Sequence, residues 1–205
     1  MPPTFDAPGA RILALWRRLA PRPGGVWLFN RLLGRMVPYT GALGARVTEL
    51  SPGHAVCVLR DRRAVRNHLN SVHALALANL AELCSGSAML TALPPGTRGI
   101  VVRLEIDYLK KARGTLTARA DVQLPDVPEP VLLHPEAVIV DADEAMVARA
   151  RVTWSVQPAE WRDSDASRRT PLPAPADATR VATREATREA AREAAREAAR
   201  DSRSR

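Results

Sequence analysis

Asn67-His-Leu-Asn-Ser-Val-His73-Ala-Leu-Ala-Leu-Ala-Asn79-Leu-Ala-Glu82-Leu-Cys-Ser-Gly86 runs from a polar, basic loop straight into an apolar helix with a carboxylate in its middle. The helix is predicted from about His73 to Ala92, with Asn70 or Ser71 as its N-cap and Pro94-Pro95-Gly96 as its stop. A segment this rich in Ala and Leu must be covered on nearly every side, which puts it at the centre of a fold. Glu82 is the exception. Desolvating a carboxylate among Ala and Leu costs several kcal/mol unless a partner or a reaction uses its charge.

The flanking sequence supplies the cover. Upstream, residues 45–50 and 54–60 read as strands around the turn Ser51-Pro52-Gly53, which predicts a hairpin. Downstream, 99–109, 114–124, roughly 131–141 and 146–156 read as further strands. In the first of these, Leu104, Ile106 and Tyr108 alternate with Arg103, Glu105 and Asp107, a half-buried antiparallel pattern. A hairpin, one buried helix and a meander make an α+β domain whose single antiparallel sheet wraps around the helix.

Ahead of it, residues 9–20 and 24–36 read as two short amphipathic helices, separated by Pro21, Pro23 and Gly24-Gly25, with Pro38 ending the second. They serve either as a packing lid over the sheet or as a membrane-surface contact through Trp16 and Trp27 beside arginines. The organisation is therefore an N-terminal helical extension (1–37), the α+β domain (38–158) and a tail (159–205). In the tail a linker rich in Pro, Ala, Asp and Ser precedes a four-residue Arg-Glu-Ala repeat with pairs such as Glu185–Arg188. That repeat predicts a solvated, fraying helix, or alternatively an arm for a partner.

Composition narrows the function. The net charge is +8, but residues 162–205 hold eleven arginines against eight acids, so the surplus of the body is modest. Aromatics are only 4%, which argues against nucleic acid as a partner; an anionic small ligand needs only a local basic patch. Cys57 and Cys84 lie in apolar surroundings and suggest no disulfide framework, in keeping with a reducing cytoplasm. No run of about 18 apolar residues predicts a transmembrane segment, and Arg17, Arg18 and Arg22 break any signal-peptide pattern. No metal is expected, because His54, His68, His73 and His134 lack ligand spacing with cysteines or carboxylates.

The run Asn67…His73…Glu82, with Ile106-Asp-Tyr-Leu-Lys-Lys-Ala-Arg-Gly114 after it, resembles the hotdog-fold acyl-CoA thioesterases, in particular the PaaI-like branch. Pro38-Tyr-Thr-Gly41 and Asn67-His68 resemble an uncharacterised bacterial domain family within that superfamily. In PaaI-like enzymes an Asn precedes a His-Gly-Gly by six residues, and an acid follows the His by nine. Asn67, His73 and Glu82 keep both intervals.

The resemblance implies a hotdog fold, a homodimer or dimer of dimers, and hydrolysis of an acyl-CoA or related thioester, with coenzyme A entering only as part of the substrate. It assigns Glu82 as nucleophile or general base acting across the dimer interface. The Ala74 amide at the helix start, with His73 and Asn67 beside it, would polarise the carbonyl. Lys110, Lys111 and Arg113 would lie near the nucleotide and pyrophosphate; the two lysines are the only ones in the chain.

The chemistry is coherent, since free helix N-terminal amides suit an oxyanion and a desolvated carboxylate gains basicity. The sequence departs from the pattern at the helix start, where Ala74-Leu75 stand in place of Gly-Gly, and on the third strand, where Ile100-Val-Val102 stand where some relatives supply a hydroxyl. That leaves open a non-catalytic protein that binds an acyl thioester or lipid as sensor or carrier. Each residue also has a plainer reading. Glu82 could be a buried charge satisfied across a dimer, Asn67 and His68 a loop brace, His73 a structural residue, and the lysines solubilising charges.

Overall fold

The structure, a computed structural model, describes residues 8–160; the linker and repeat tail expected from 161 onward lie outside them. The helices are α1 (Pro8–Leu19), α2 (Gly25–Met36), α3 (Pro38–Leu43) and α4 (Ala74–Ala92). The strands are β1 (Arg46–Ser51), β2 (His54–Leu59), β3 (Thr97–Tyr108), β4 (Leu116–Asp121), β5 (Val131–Leu133), β6 (Glu136–Val140) and β7 (Met146–Pro158). One antiparallel sheet runs β1-β2-β4-β6-β7-β3, with β5 also paired to β7, and it wraps around α4 as expected.

Helix α4 is the axle of the core. Ala76, Leu77, Leu80, Ala81, Cys84 and Ala88 are buried against Cys57, Leu116, Ala118, Ile139 and Val147 from the sheet. By length and composition alone it could cross a membrane, but most of it is buried in the interior of the fold, where its apolarity is used. Polar groups fix its far end. The Thr91 hydroxyl donates to Ser51 O at 3.0 Å and accepts from Gly53 N at 3.3 Å, which ties the last turn of α4 to the β1–β2 hairpin. Cys57 and Cys84 are free thiols buried beside each other, and their contact with burial pushes the Cys57 thiol up.

The N-terminal helices join this core directly. Leu13, Trp16 and Phe29 are buried in it, with the Trp16 and Phe29 rings edge-to-face at 4.9 Å. Trp16 is thus a core residue, and only Trp27 of the expected membrane-contact pair faces outward. Asn30 clamps α2 to the sheet margin: its Nδ2 donates to Val47 O at 2.8 Å, and its Oδ1 accepts from Val47 N at 2.7 Å.

Three boundaries differ from expectation. Pro38 ends α2 but also starts α3, because proline lacks only an N–H that a first-turn residue does not need. The stretch expected at 131–141 is two strands, β5 and β6, parted at His134-Pro135, where the ladder loses a donor. The 114–124 stretch shortens to β4, with Gly114 in a left-handed turn (φ 71) before it.

Candidate functional site

The loop ahead of α4 is closed by its own hydrogen bonds. Asn67 Oδ1 accepts from Leu69 N at 2.9 Å, Ser71 N at 3.3 Å and Ser71 Oγ at 3.1 Å. Its backbone N–H also donates to Ser71 O, and Asn70 sits in the left-handed region (φ 53) to let the chain turn. Asn67 therefore braces this loop through its carbonyl oxygen. Losing that acceptor in Asn67→Ala leaves the N–H of buried Ser71 unmatched, at about 1–3 kcal/mol. Asn67→Asp keeps that acceptor while exchanging the Nδ2 donor for a charged oxygen, so its melting temperature should fall less than that of Asn67→Ala. Thermal melts of the two variants check this.

The brace delivers the chain to α4 with neither Asn70 nor Ser71 as cap. The cap is His73, whose backbone is extended (φ −65, ψ 141) and whose Nδ1 accepts from Leu75 N at 3.1 Å. Asn70 is spent on the turn and Ser71 on Asn67, so neither side chain reaches the helix. Ala76 N and Leu77 N both donate to His73 O. The Ala74 N–H is left as the one donor of this turn with no partner among the described residues. It lies at the positive end of a 19-residue helix.

Two neighbours frame that N–H. Tyr108, at the end of β3, donates its hydroxyl to Ala74 O at 3.2 Å. The β3–β4 corner closes in through Val72 N, which donates to Ala112 O at 2.9 Å. Asp61 holds the same corner from the other side, accepting from Gly114 N at 3.1 Å and Arg66 Nε at 2.6 Å. The Arg66 guanidinium keeps its carboxyl below the usual range.

The three basic residues expected here do not act alike. Lys110 pairs with Asp141 at 2.6 Å and so pins the β6–β7 turn. Lys111 and Arg113 are exposed on the corner without a salt bridge among the described residues.

Glu82 lies eight residues along α4 from Ala74, about 12 Å at 1.5 Å per residue. It is half-buried, has no hydrogen-bond partner among the described residues, and desolvation raises its carboxyl above the ordinary glutamate value. A Cβ placed on Gly86 would stand 3.7 Å from Glu82 Oε1 and 3.3 Å from Trp154 Cζ2, so the carboxylate and the indole both border Gly86. The indole Nε1 is buried without a partner, as is Asn79 Oδ1, while Asn79 Nδ2 donates to the buried Thr40 Oγ1 at 3.1 Å.

The structure thus gathers Asn67, His73, Ala74, Lys111 and Arg113 at one end of α4 and leaves Glu82 two turns away. Trp154 and Tyr108 stand in this neighbourhood too. Strand alternation marks both only as residues on the inner face of the sheet, so nothing in the sequence singles them out for the site.

Residues 25–156 match the family described as a domain of unknown function, DUF4442. The chain belongs to the DUF4442 family. No curated protein matches the sequence of this DUF4442 chain. A structural-genomics crystal structure is 29% identical over 73% of this chain and 98% of its own, with a TM-score of 0.63. A Pseudomonas aeruginosa protein of unknown function, described as a probable thioesterase, is 20% identical over 63% of this chain and 93% of its own (TM-score 0.58). The phenylacetic acid degradation protein PaaI of Thermus thermophilus, as a point mutant, is 24% identical over 58% of this chain and 97% of its own (TM-score 0.50). The fold of this DUF4442 protein is the hotdog, and it is shared with proteins described as a probable thioesterase and as PaaI.

Proposed function

We propose that this DUF4442 protein hydrolyses an acyl-CoA or a related acyl thioester as a homodimer. The observation that carries the reading is the pair of unspent groups on α4: the unpaired Ala74 N–H at its positive end and the unpaired, desolvated Glu82 carboxylate. The N–H stabilises the oxygen that becomes anionic when the thioester carbonyl is attacked. Glu82 takes the proton of the attacking water or attacks the carbonyl itself.

The separation of about 12 Å along one helix means that one protomer does not aim both groups at one carbonyl. A second copy supplies the missing half. β3 supports this: its outer edge is open among the described residues and carries Ile100 (67% exposed) and Val102 (38% exposed). An edge of that length and apolarity is suited to pairing with its twin. Lys111 and Arg113 beside the helix start suit the phosphates of coenzyme A as solvent-facing cations. The buried free thiols favour a cytoplasmic setting.

One observation favours the second reading, an acyl-thioester or lipid carrier without turnover. Leu75, 63% exposed at the helix start, puts an isobutyl group next to the Ala74 N–H where the pattern has glycine. Thiol release from short, long and aromatic acyl-CoAs separates the two. Turnover on any of them supports the hydrolase. Saturable binding of those ligands by the folded dimer with no thiol released assigns the carrier.

A further inference from the structure

The inner face of α2 is accounted for by Phe29 in the core and Asn30 on β1, but its outer face is bare. Trp27 is 60% exposed and Met36 65%, and Tyr39 at the start of α3 is 64% exposed, with Leu28 and Val37 beside them. Leu28, Leu32 and Met36 follow one another at four-residue spacing, and Trp27, Arg31 and Arg35 form the adjoining row. The Arg31 guanidinium stands 5.8 Å from the centre of the Trp27 ring. An apolar patch of this kind on a folded chain marks something that covers it.

Charge identifies the cover. Residues 17–45 contain five arginines and no acid. Arg62, exposed, extends the positive field by donating to Ala42 O at the end of α3, at 2.8 Å. Aromatic and aliphatic side chains flanked by guanidinium groups are the composition of a helix lying in a headgroup layer, where Trp takes the interface and arginines meet lipid phosphates. A second copy of the chain would set these arginines against their equals. A nucleic acid would use the charge but leave Leu28, Met36 and Val37 without a role.

We propose that the outer face of α2 and the start of α3 dock on an anionic lipid surface. The docking does not depend on the thioester reading. It does put α3, and through Thr40 the site helix at Asn79, next to the layer where amphipathic acyl compounds collect.

Co-sedimentation of the full chain with phosphatidylcholine vesicles, and with mixed phosphatidylcholine–phosphatidylglycerol vesicles, tests it. The chain should pellet with the mixed vesicles, not with the neutral ones, and added salt should release it. Arg31→Gln with Arg35→Gln should weaken binding about tenfold or more, and Trp27→Ser with Met36→Ser should abolish it. All four side chains are exposed, so both double variants should fold, as their melting curves will report. Failure to pellet with mixed vesicles, equal pelleting with both, or an arginine variant that binds like wild type would overturn the proposal. So would a larger oligomer that Trp27→Ser with Met36→Ser disperses, because the face would then be a contact between copies.

Discussion

Glu82→Gln should leave a dimer that binds acyl-CoA and releases thiol at about 10²–10⁴-fold lower kcat, the range for loss of a general base. The amide matches the carboxylate in shape and beside Gly86 and Trp154 it fits the same space, so the loss reports chemistry alone. The same substitution should raise thermal stability at neutral pH, which a structural carboxylate would not do. Burial raises the Glu82 carboxyl above its unfolded value, so the folded chain holds that proton more tightly than the unfolded one. The folding penalty is absent below the unfolded value and grows as pH rises through the raised folded one. The extra stability of Glu82→Gln should therefore vanish on acidification below the ordinary glutamate range. Wild-type activity, which needs the ionised form, should rise along an acid limb displaced above that range. Paired melts and pH–rate profiles read both. A variant that is less stable at neutral pH would mean Glu82 has an ionic partner instead.

Ala74→Pro should cost about 10²–10³ in kcat, the usual effect of deleting one oxyanion donor, without unfolding the helix. Proline is favoured at the first helical position, and its only loss there is the N–H in question. The residue before it must be extended, and His73 already is, at φ −65 and ψ 141. Tyr108 keeps its bond to the carbonyl of residue 74. Mixing the two inactive variants makes the stronger test. In a mixed dimer, Glu82 of the Ala74→Pro protomer faces the intact N–H of the Glu82→Gln protomer, so one whole site returns. Thiol release should recover on exchange of subunits. Two silent homodimers that stay silent when mixed would place the carboxylate and the amide in the same chain or outside the reaction.

Much of the scaffold is legible in the residues because one physical demand dominates each stretch. α4 is apolar all round and can only be central. Leu104 and Ile106 alternate with charges, and both pack inward. Gly53 takes the left-handed turn (φ 76) that Ser51-Pro52-Gly53 announces. What stays hidden is decided by competition between partners. Pro38 satisfies the end of one helix and the start of another equally well. Asn70 and Ser71 are good caps in isolation, but Asn67 claims Ser71 and the turn claims Asn70, which passes the role to His73. Lys110 reads as a phosphate ligand until Asp141, thirty-one residues on, takes its charge. The spacing of Asn67, His73 and Glu82 points to α4 as the helix of the proposed site. It gives no sign that Trp154 borders Gly86 together with the carboxylate, because that neighbour arrives through the sheet.

The Asn30 amide on Val47 has a consequence for assembly. A sheet with two bare margins can recruit neighbours on both sides and grow into a fibre. Here the β1 margin is stoppered: a side chain holds the outward N–H and C=O of Val47, and a bulge between Val47 and Glu49 twists the strand away from any incoming ladder. Of the two ends of the β1-β2-β4-β6-β7-β3 path, β3 is the one left open among the described residues, and a copy joined there would turn its own stoppered margin outward. Growth by pairing at β3 would then end at two.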